Sequence, residues 1–303
     1  MKLILNISIA LWAMALALTS CGCEPEVVYT PMVERPDSAF LTASPLWQRH
    51  RDTPLKILCI GNSFTHNATT YMPWLINRLN ADSICIAMLT RAGCSLKMHW
   101  ENHMSNREDY DFFYSERGHW VKSDEIKTID IALTFFDWDI ITLQQASGSS
   151  GLYSTYQPYL DNLESLFRDA DPDALLAWHY TWAYTAWTEH REFKNYGYNP
   201  RKMYEAIMEA GDKASERFDI TLPSATLIKM LREECPEVKY GFSEDGFHIT
   251  EHYALYALSA LWYEVLVGAP CGTSCLPMKD VPSEVGEEGM KKISRIITRI
   301  LNH

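Results

Sequence analysis

The chain is predicted to fold as an α/β domain, with a mainly parallel sheet covered by helices on both faces. Two observations predict this. Short apolar runs of strand length alternate with longer stretches of helical periodicity from about residue 55 onward. The short runs carry apolar residues consecutively rather than at every second position, as strands buried on both faces do. A hydrophobic content of 47% against 22% charged residues adds that a chain of 303 residues has the apolar material for a sizeable core.

Residues 55–60, Leu-Lys-Ile-Leu-Cys-Ile ended by Gly61, read as the first buried strand. A helix over 71–80 follows, with Trp74, Leu75 and Leu79 on one face, and then a strand over 83–90. Residues 102–127 read as a polar-aromatic insertion. Helical spacing at 129–136 leads into a strand at 140–143, and helical spacing returns at 159–167. A strand at 174–178 precedes a helix over 200–217, with Met203, Ile207 and Ala210 inward, and a short strand at 218–222. The helix over 251–267 places Leu255, Leu258, Trp262 and Val265 near one stripe, and 287–301 is helical again. No internal repeat and no low-complexity block interrupts this order.

The N-terminal segment reads differently. Lys2 is its only charge, and an apolar run over 3–18 is broken only by Asn6 and Ser8. That run is too short for a spanning helix and fits a signal peptide over 1–20. Leu18-Thr19-Ser20-Cys21 resembles the bacterial lipobox, which implies export, lipidation of Cys21 and anchoring to a membrane of the cell envelope. Pro25, Pro31, Pro36 and Pro45 mark 21–51 as a linker, leaving 52–303 for the folded domain. A net charge of −12 argues against a nucleic-acid partner, which requires a basic surface.

Of eight cysteines, Cys21 is assigned to the lipid. Cys59 and Cys85 lie in strand-like runs as thiols, whereas Cys271 and Cys275 are spaced to close a small loop. No cysteine has zinc-ligand partners at useful spacing. His99 and His103 stand at i, i+4 without a neighbouring carboxylate motif, so neither a metal nor another cofactor is expected.

Ligands of open α/β sheets sit at the carboxyl ends of strands. Ser63 follows the first strand in Gly61-Asn62-Ser63-Phe64-Thr65, and alone fits a helix cap as well as a nucleophile. Asp245 and His248 stand three residues apart just ahead of the 251–267 helix. A loop of that length lets the carboxylate hold one imidazole nitrogen while the other acts as general base.

Together these two blocks resemble those of the SGNH, or GDSL-like, hydrolases, with Gly-Asn-Ser-Phe in place of Gly-Asp-Ser-Leu and Asp-Gly-Phe-His as the last block. The resemblance runs over roughly 54–270 and is nearest to an uncharacterised branch that shares the Gln-Gln, Thr-Trp-Ala-Tyr and Asp-Gly-x-His elements. It implies a three-layer α/β/α, flavodoxin-like fold. It also implies a serine ester hydrolase with Ser63 as nucleophile, His248 as base and Asp245 as its orienter, working without a cofactor. The amides of Ser63 and Gly93 would form the oxyanion hole. The usual Gly-x-Asn-Asp block is replaced by Leu143-Gln144-Gln145-Ala146, so Gln145 is the expected third donor, with Gln144 turned away.

His179, Trp182 and Tyr184, after the 174–178 strand, are expected either to contact substrate or to pack beneath a loop. Resemblance and address together suggest deacetylation of carbohydrate esters. A carbohydrate-binding lipoprotein with little turnover, and an esterase or thioesterase for lipid-like acyl chains, are the alternatives.

Overall fold

The computed structural model describes residues 54–80, 84–236, 238–268 and 285–302. The segments expected as signal peptide and linker, with Cys21, and the Cys271/Cys275 pair therefore lie outside the described residues. Seven strands form one sheet: β1 (Leu55–Gly61), β2 (Ile84–Thr90), β3 (Asp111–Glu116), β4 (His119–Ser123), β5 (Ile140–Leu143), β6 (Leu175–His179) and β7 (Ile220–Leu222), in the order β4-β3-β2-β1-β5-β6-β7. The five from β2 to β7 in that order are mutually parallel. Taken in chain order, these parallel strands lie 2-1-3-4-5, the flavodoxin-like arrangement, and the order reverses beside β1. In β1, only Lys56 is not fully buried, which accounts for its unbroken apolar run.

The helices are α1 (Ser63–Thr69), α2 (Met72–Asn80), α3 (Leu96–Met104), α4 (Ile129–Leu133), α5 (Tyr159–Ala170), α6 (Pro200–Ser215), α7 (Ser224–Glu234), α8 (His252–Val267) and α9 (Gly286–Leu301). α8 packs on α1, α2 and α7, and α9 packs on α7, forming one helical layer; α3, α4 and α5 pack together as another. α8 is buried around most of its circumference. Its sequence is correspondingly apolar well beyond a single stripe, as a helix enclosed by its neighbours requires.

The segment expected as an insertion holds the end of α3 and an antiparallel hairpin. β3 pairs with β2, and β4 with β3, so the hairpin extends the sheet at its edge. Its turn is two residues, Arg117 and Gly118, both at positive φ (49° and 84°), and Glu116 faces His119 across it. That geometry matches the right-handed strand twist.

Candidate active site

Ser63 begins α1 directly beyond β1. The helix starts there because Asn62 is extended and its Oδ1 accepts from the Phe64 N–H at 3.0 Å, a capping bond that Asn makes as well as Asp. Gly61 has no room for a side chain: a Cβ there would lie 2.1 Å from Thr65 Oγ1 and 3.2 Å from Gln144 Cδ. β1 therefore turns tightly into α1 and leaves Ser63 half-buried at the sheet edge.

The Asp245–His248 loop is held by its own carboxylate. Asp245 Oδ1 accepts from the N–H groups of Phe247 (3.0 Å) and His248 (2.8 Å) and from the Ser243 hydroxyl (3.2 Å). Gly246 sits at φ +83° with its N–H on Ser243 Oγ, and a Cβ there would come within 2.5 Å of Thr188, so the turn demands glycine. Asp245 Oδ2 lies 2.7 Å from His248 Nδ1, and His248 Nε2 lies 2.7 Å from Ser63 Oγ. The consistent tautomer has Nδ1–H donating to the carboxylate and the serine hydroxyl donating to Nε2. Burial acts to raise the Asp245 pKa, but the two backbone N–H groups and His248 outweigh it and hold the carboxyl below its usual value. Ile249 N–H donates to Asn67 Oδ1 at 3.1 Å, fastening the loop to α1.

Gly93 adopts φ +64° in open space, so its glycine is required by the backbone rather than by crowding. Its loop is tied to the serine turn: Arg91 N–H donates to Gly61 O at 3.2 Å and Asn62 Nδ2 to Cys94 O at 3.0 Å. Among the described residues, neither the Ser63 nor the Gly93 N–H has a hydrogen-bond acceptor. Two backbone donors beside the serine are thus unengaged.

Gln145 does not supply the expected third donor. It is buried, its Oε1 accepts from the N–H groups of Leu96 (3.1 Å) and Ala146 (2.8 Å), and its Nε2 donates to Thr155 Oγ1 (3.1 Å) and Thr155 O (3.4 Å). Its NH2 group is thus turned to Thr155. Gln144 lies beneath the serine turn instead. Its Oε1 accepts from Thr65 Oγ1 (2.6 Å) and His179 Nδ1 (2.9 Å), and its Nε2 donates to Asn62 Oδ1 (2.9 Å).

The three residues considered for substrate contact are core residues. His179, Trp182 and Tyr184 are each 1% exposed or less. Burial pushes the His179 pKa down to about 3, so the ring is neutral. Trp182 stacks on Phe64 at 4.3 Å and donates Nε1–H to Phe247 O at 2.7 Å. The next residues finish the clamp: Thr185 N–H donates to Gly246 O (2.8 Å) and Thr188 Oγ1 to Asp245 O (2.9 Å). The aromatic segment thus anchors the histidine loop. Its repeated aromatics carry no sign in sequence of which way they face.

His99 and His103 also diverge: buried His99 bonds to the Tyr110 hydroxyl at 2.9 Å, and His103 to Asp130 at 3.0 Å. Among the described residues no group of three metal-ligating side chains occurs.

The model of the family described as a domain of unknown function, DUF4886, matches residues 56–287. A crystal structure of a DUF4886 protein from Bacteroides uniformis is similar at 28% identity and a TM-score of 0.74, covering 82% of this chain and 95% of that one. A candidate SGNH hydrolase from Slackia heliotrinireducens aligns at 19% identity and a TM-score of 0.48, over 72% of this chain and 99% of that one. An acetyl xylan esterase variant from Geobacillus stearothermophilus aligns at 10% identity and 0.44, over 71% and 95%. Comparison with curated proteins finds no match.

Proposed function

The chain belongs to the DUF4886 family, and from the geometry of its site we propose that it is a serine ester hydrolase working through an acyl-enzyme. One observation carries this reading: an unbroken chain of short contacts, 2.7 Å each, from Ser63 Oγ through the His248 ring to Asp245. A serine, a histidine and a carboxylate in that sequence can generate a nucleophile at neutral pH.

In the proposed mechanism His248 Nε2 takes the Ser63 proton as Oγ attacks the ester carbonyl. Asp245 keeps Nδ1 protonated and stabilises the imidazolium that forms. The Ser63 and Gly93 N–H groups receive the developing oxyanion. Collapse of the tetrahedral species expels the alcohol, to which His248 returns the proton. Water, activated by the same nitrogen, then attacks the acyl-enzyme; the acid leaves and Ser63 regains its hydrogen. Preorganised donors of this kind typically contribute ~100-fold each.

The finer reading is a carbohydrate acetyl ester as substrate, met outside the cytoplasm by an enzyme anchored through Cys21. Burial of Trp182 and Tyr184 removes the aromatic surface that would have favoured a binding protein without turnover.

The purified protein is expected to hydrolyse p-nitrophenyl acetate and to form a fluorophosphonate adduct at Ser63. An adduct absent from the wild type, or turnover equal in Ser63→Ala, overturns the reading.

A further inference from the structure

With 182–184 buried, the substrate's alcohol portion needs another surface, and one lies beside the histidine loop. A cavity of about 490 Å³ is lined by Trp187, Glu189, His190, Glu244, Asp245 and Phe247. It adjoins the proposed site through Asp245 and a run of ring contacts. The His248 ring contacts Phe247 at 4.1 Å between centroids, and Phe247 meets His190 edge-on at 4.7 Å. Asp245 belongs to both the cavity wall and the triad.

Two features of the wall select a ligand. Trp187 is 42% exposed, in contrast to the fully buried Trp182 five residues earlier. A partly exposed indole in a cavity wall presents apolar surface of the kind that sugar rings pack on. The second feature is charge. Glu189 and Glu244 are exposed, and neither has a cationic partner among the described residues. Asp245 adds a third carboxylate. Glu192 and Arg191 stand close enough to His190 to act on it, with opposite signs, so the surroundings are acidic on balance. Carboxylates facing a cavity hydrogen-bond hydroxyl groups and attract ammonium groups, and they repel anions.

We propose that this cavity is the subsite for the alcohol side of the ester, and that it takes a sugar ring that is neutral or bears an ammonium group in preference to one bearing a carboxylate or phosphate. Trp187 supplies the stacking face, and Glu189 with Glu244 sets the charge preference. The inference rests on the ester-hydrolase reading and names the class of alcohol that reading leaves open.

The test compares kcat/KM on four acetyl esters: p-nitrophenyl acetate, O-acetylated xylo-oligosaccharides (neutral), O-acetylated chitosan oligomers (ammonium) and O-acetylated oligogalacturonides (carboxylate). Wild type is expected to prefer the first two sugars to the third. Trp187→Ala should lower the ratio of kcat/KM on the neutral sugar ester to that on p-nitrophenyl acetate by about tenfold, mostly through KM, and Trp187→Phe should recover much of it. The double variant Glu189→Gln/Glu244→Gln should narrow the ammonium-to-carboxylate preference by about tenfold. Ratios unmoved by either change, while p-nitrophenyl acetate is still cleaved, overturn the subsite and leave the esterase reading standing. Calorimetric titration of the same acetylated oligosaccharides into Ser63→Ala, with and without Trp187→Ala, reads the subsite without turnover. Binding that is absent, or that is indifferent to Trp187, overturns the inference whatever the turnover results.

Discussion

The two sides of Ser63 hold a histidine each, and the two are built for opposite purposes. Toward solvent, His248 is paired with a carboxylate on a turn that four hydrogen bonds to Asp245 hold in place. Beneath the serine, His179 is paired with the neutral amide of Gln144, its far nitrogen is buried without a hydrogen-bond partner, and its ring stands perpendicular to that of Trp262. A partly solvated imidazole beside a carboxylate can accept a proton and keep the charge. A buried one beside an amide has no counter-charge, and protonating it would be costly. Being near the serine does not make a histidine a base; the charge of its partner and its access to water do.

The largest expected effects lie on the solvent side. Ser63→Ala or His248→Ala should lower kcat on p-nitrophenyl acetate by about 10⁴-fold or more, with little change in melting temperature, and their double variant should lose no more than either alone. Asp245→Asn should cost somewhat less in rate. It should also cost some stability, because the amide keeps an oxygen for the two backbone N–H groups but loses the negative charge that strengthens those bonds and the Oδ2 acceptor for His248 Nδ1–H. Steady-state kinetics with thermal melts separates the two effects. Comparable losses of kcat and of folding in Ser63→Ala would erase the contrast between the two sides.

On the buried side the order reverses, with stability leading and rate following. Gln144→Ala would orphan the Thr65 hydroxyl and His179 Nδ1–H at once, and would take from Asn62 Oδ1 one of its two donors, leaving the Phe64 N–H. Each buried group left without a partner costs roughly 1–3 kcal/mol, so a loss of about 2 to 4 kcal/mol is expected in chemical denaturation. The activity that remains should fall mainly in kcat, since Asn62 caps the helix that presents Ser63.

Burial of His179 also makes stability depend on pH. The folded-state pKa of His179 is depressed to about 3, as is that of His99, both by burial first. Each ordinarily titrates near 6.5 when unfolded. Between those values the unfolded chain binds the proton and the folded chain does not, so stability rises with pH. It is complete above about 6.5 and is lost as pH falls toward 3, by up to about 1.4 kcal/mol per pH unit for each ring. Asp245 adds a loss of the same sign at lower pH, because its folded carboxyl is depressed. Urea denaturation across pH 4 to 7 should show this slope, and His179→Gln should remove about one proton's share of it.

The solvent-side grouping of Ser63, His248 and Asp245 was legible because its spacing is local. Asp245 and His248 are three residues apart, and Ser63 follows an unmistakable buried strand. The buried side was not, because side-chain direction decides it. β5 ends at Leu143, so strand alternation no longer governs Gln144 and Gln145, and both turn into the interior. Trp182 and Tyr184 sit where a strand ends, a place that suits substrate contact and core equally well; packing of Phe64 and Phe247 against them settles it. The β3–β4 hairpin was hidden by its turn. Arg117 at positive φ replaces the Asn or Asp that usually signals such a turn, and only Gly118 remained as a cue.

The smallest expected effect on rate is the sharpest test of where the oxyanion donors lie. Gln145→Met keeps the side-chain length and removes the amide. The N–H groups of Leu96 and Ala146 lose their acceptor and the Thr155 hydroxyl keeps only its bond to Leu152 O, so the melting temperature should fall. The rate should not follow. If the oxyanion rests on the Ser63 and Gly93 amides, kcat on p-nitrophenyl acetate at a temperature well below the melt should stay within about fivefold of wild type. A loss near 100-fold would instead mean that the Gln145 amide leaves Thr155 and turns toward the substrate during turnover. It would make this glutamine the third donor that replacement of the Gly-x-Asn-Asp block leads us to expect, and move the division between the reacting and the supporting side of the serine by one residue.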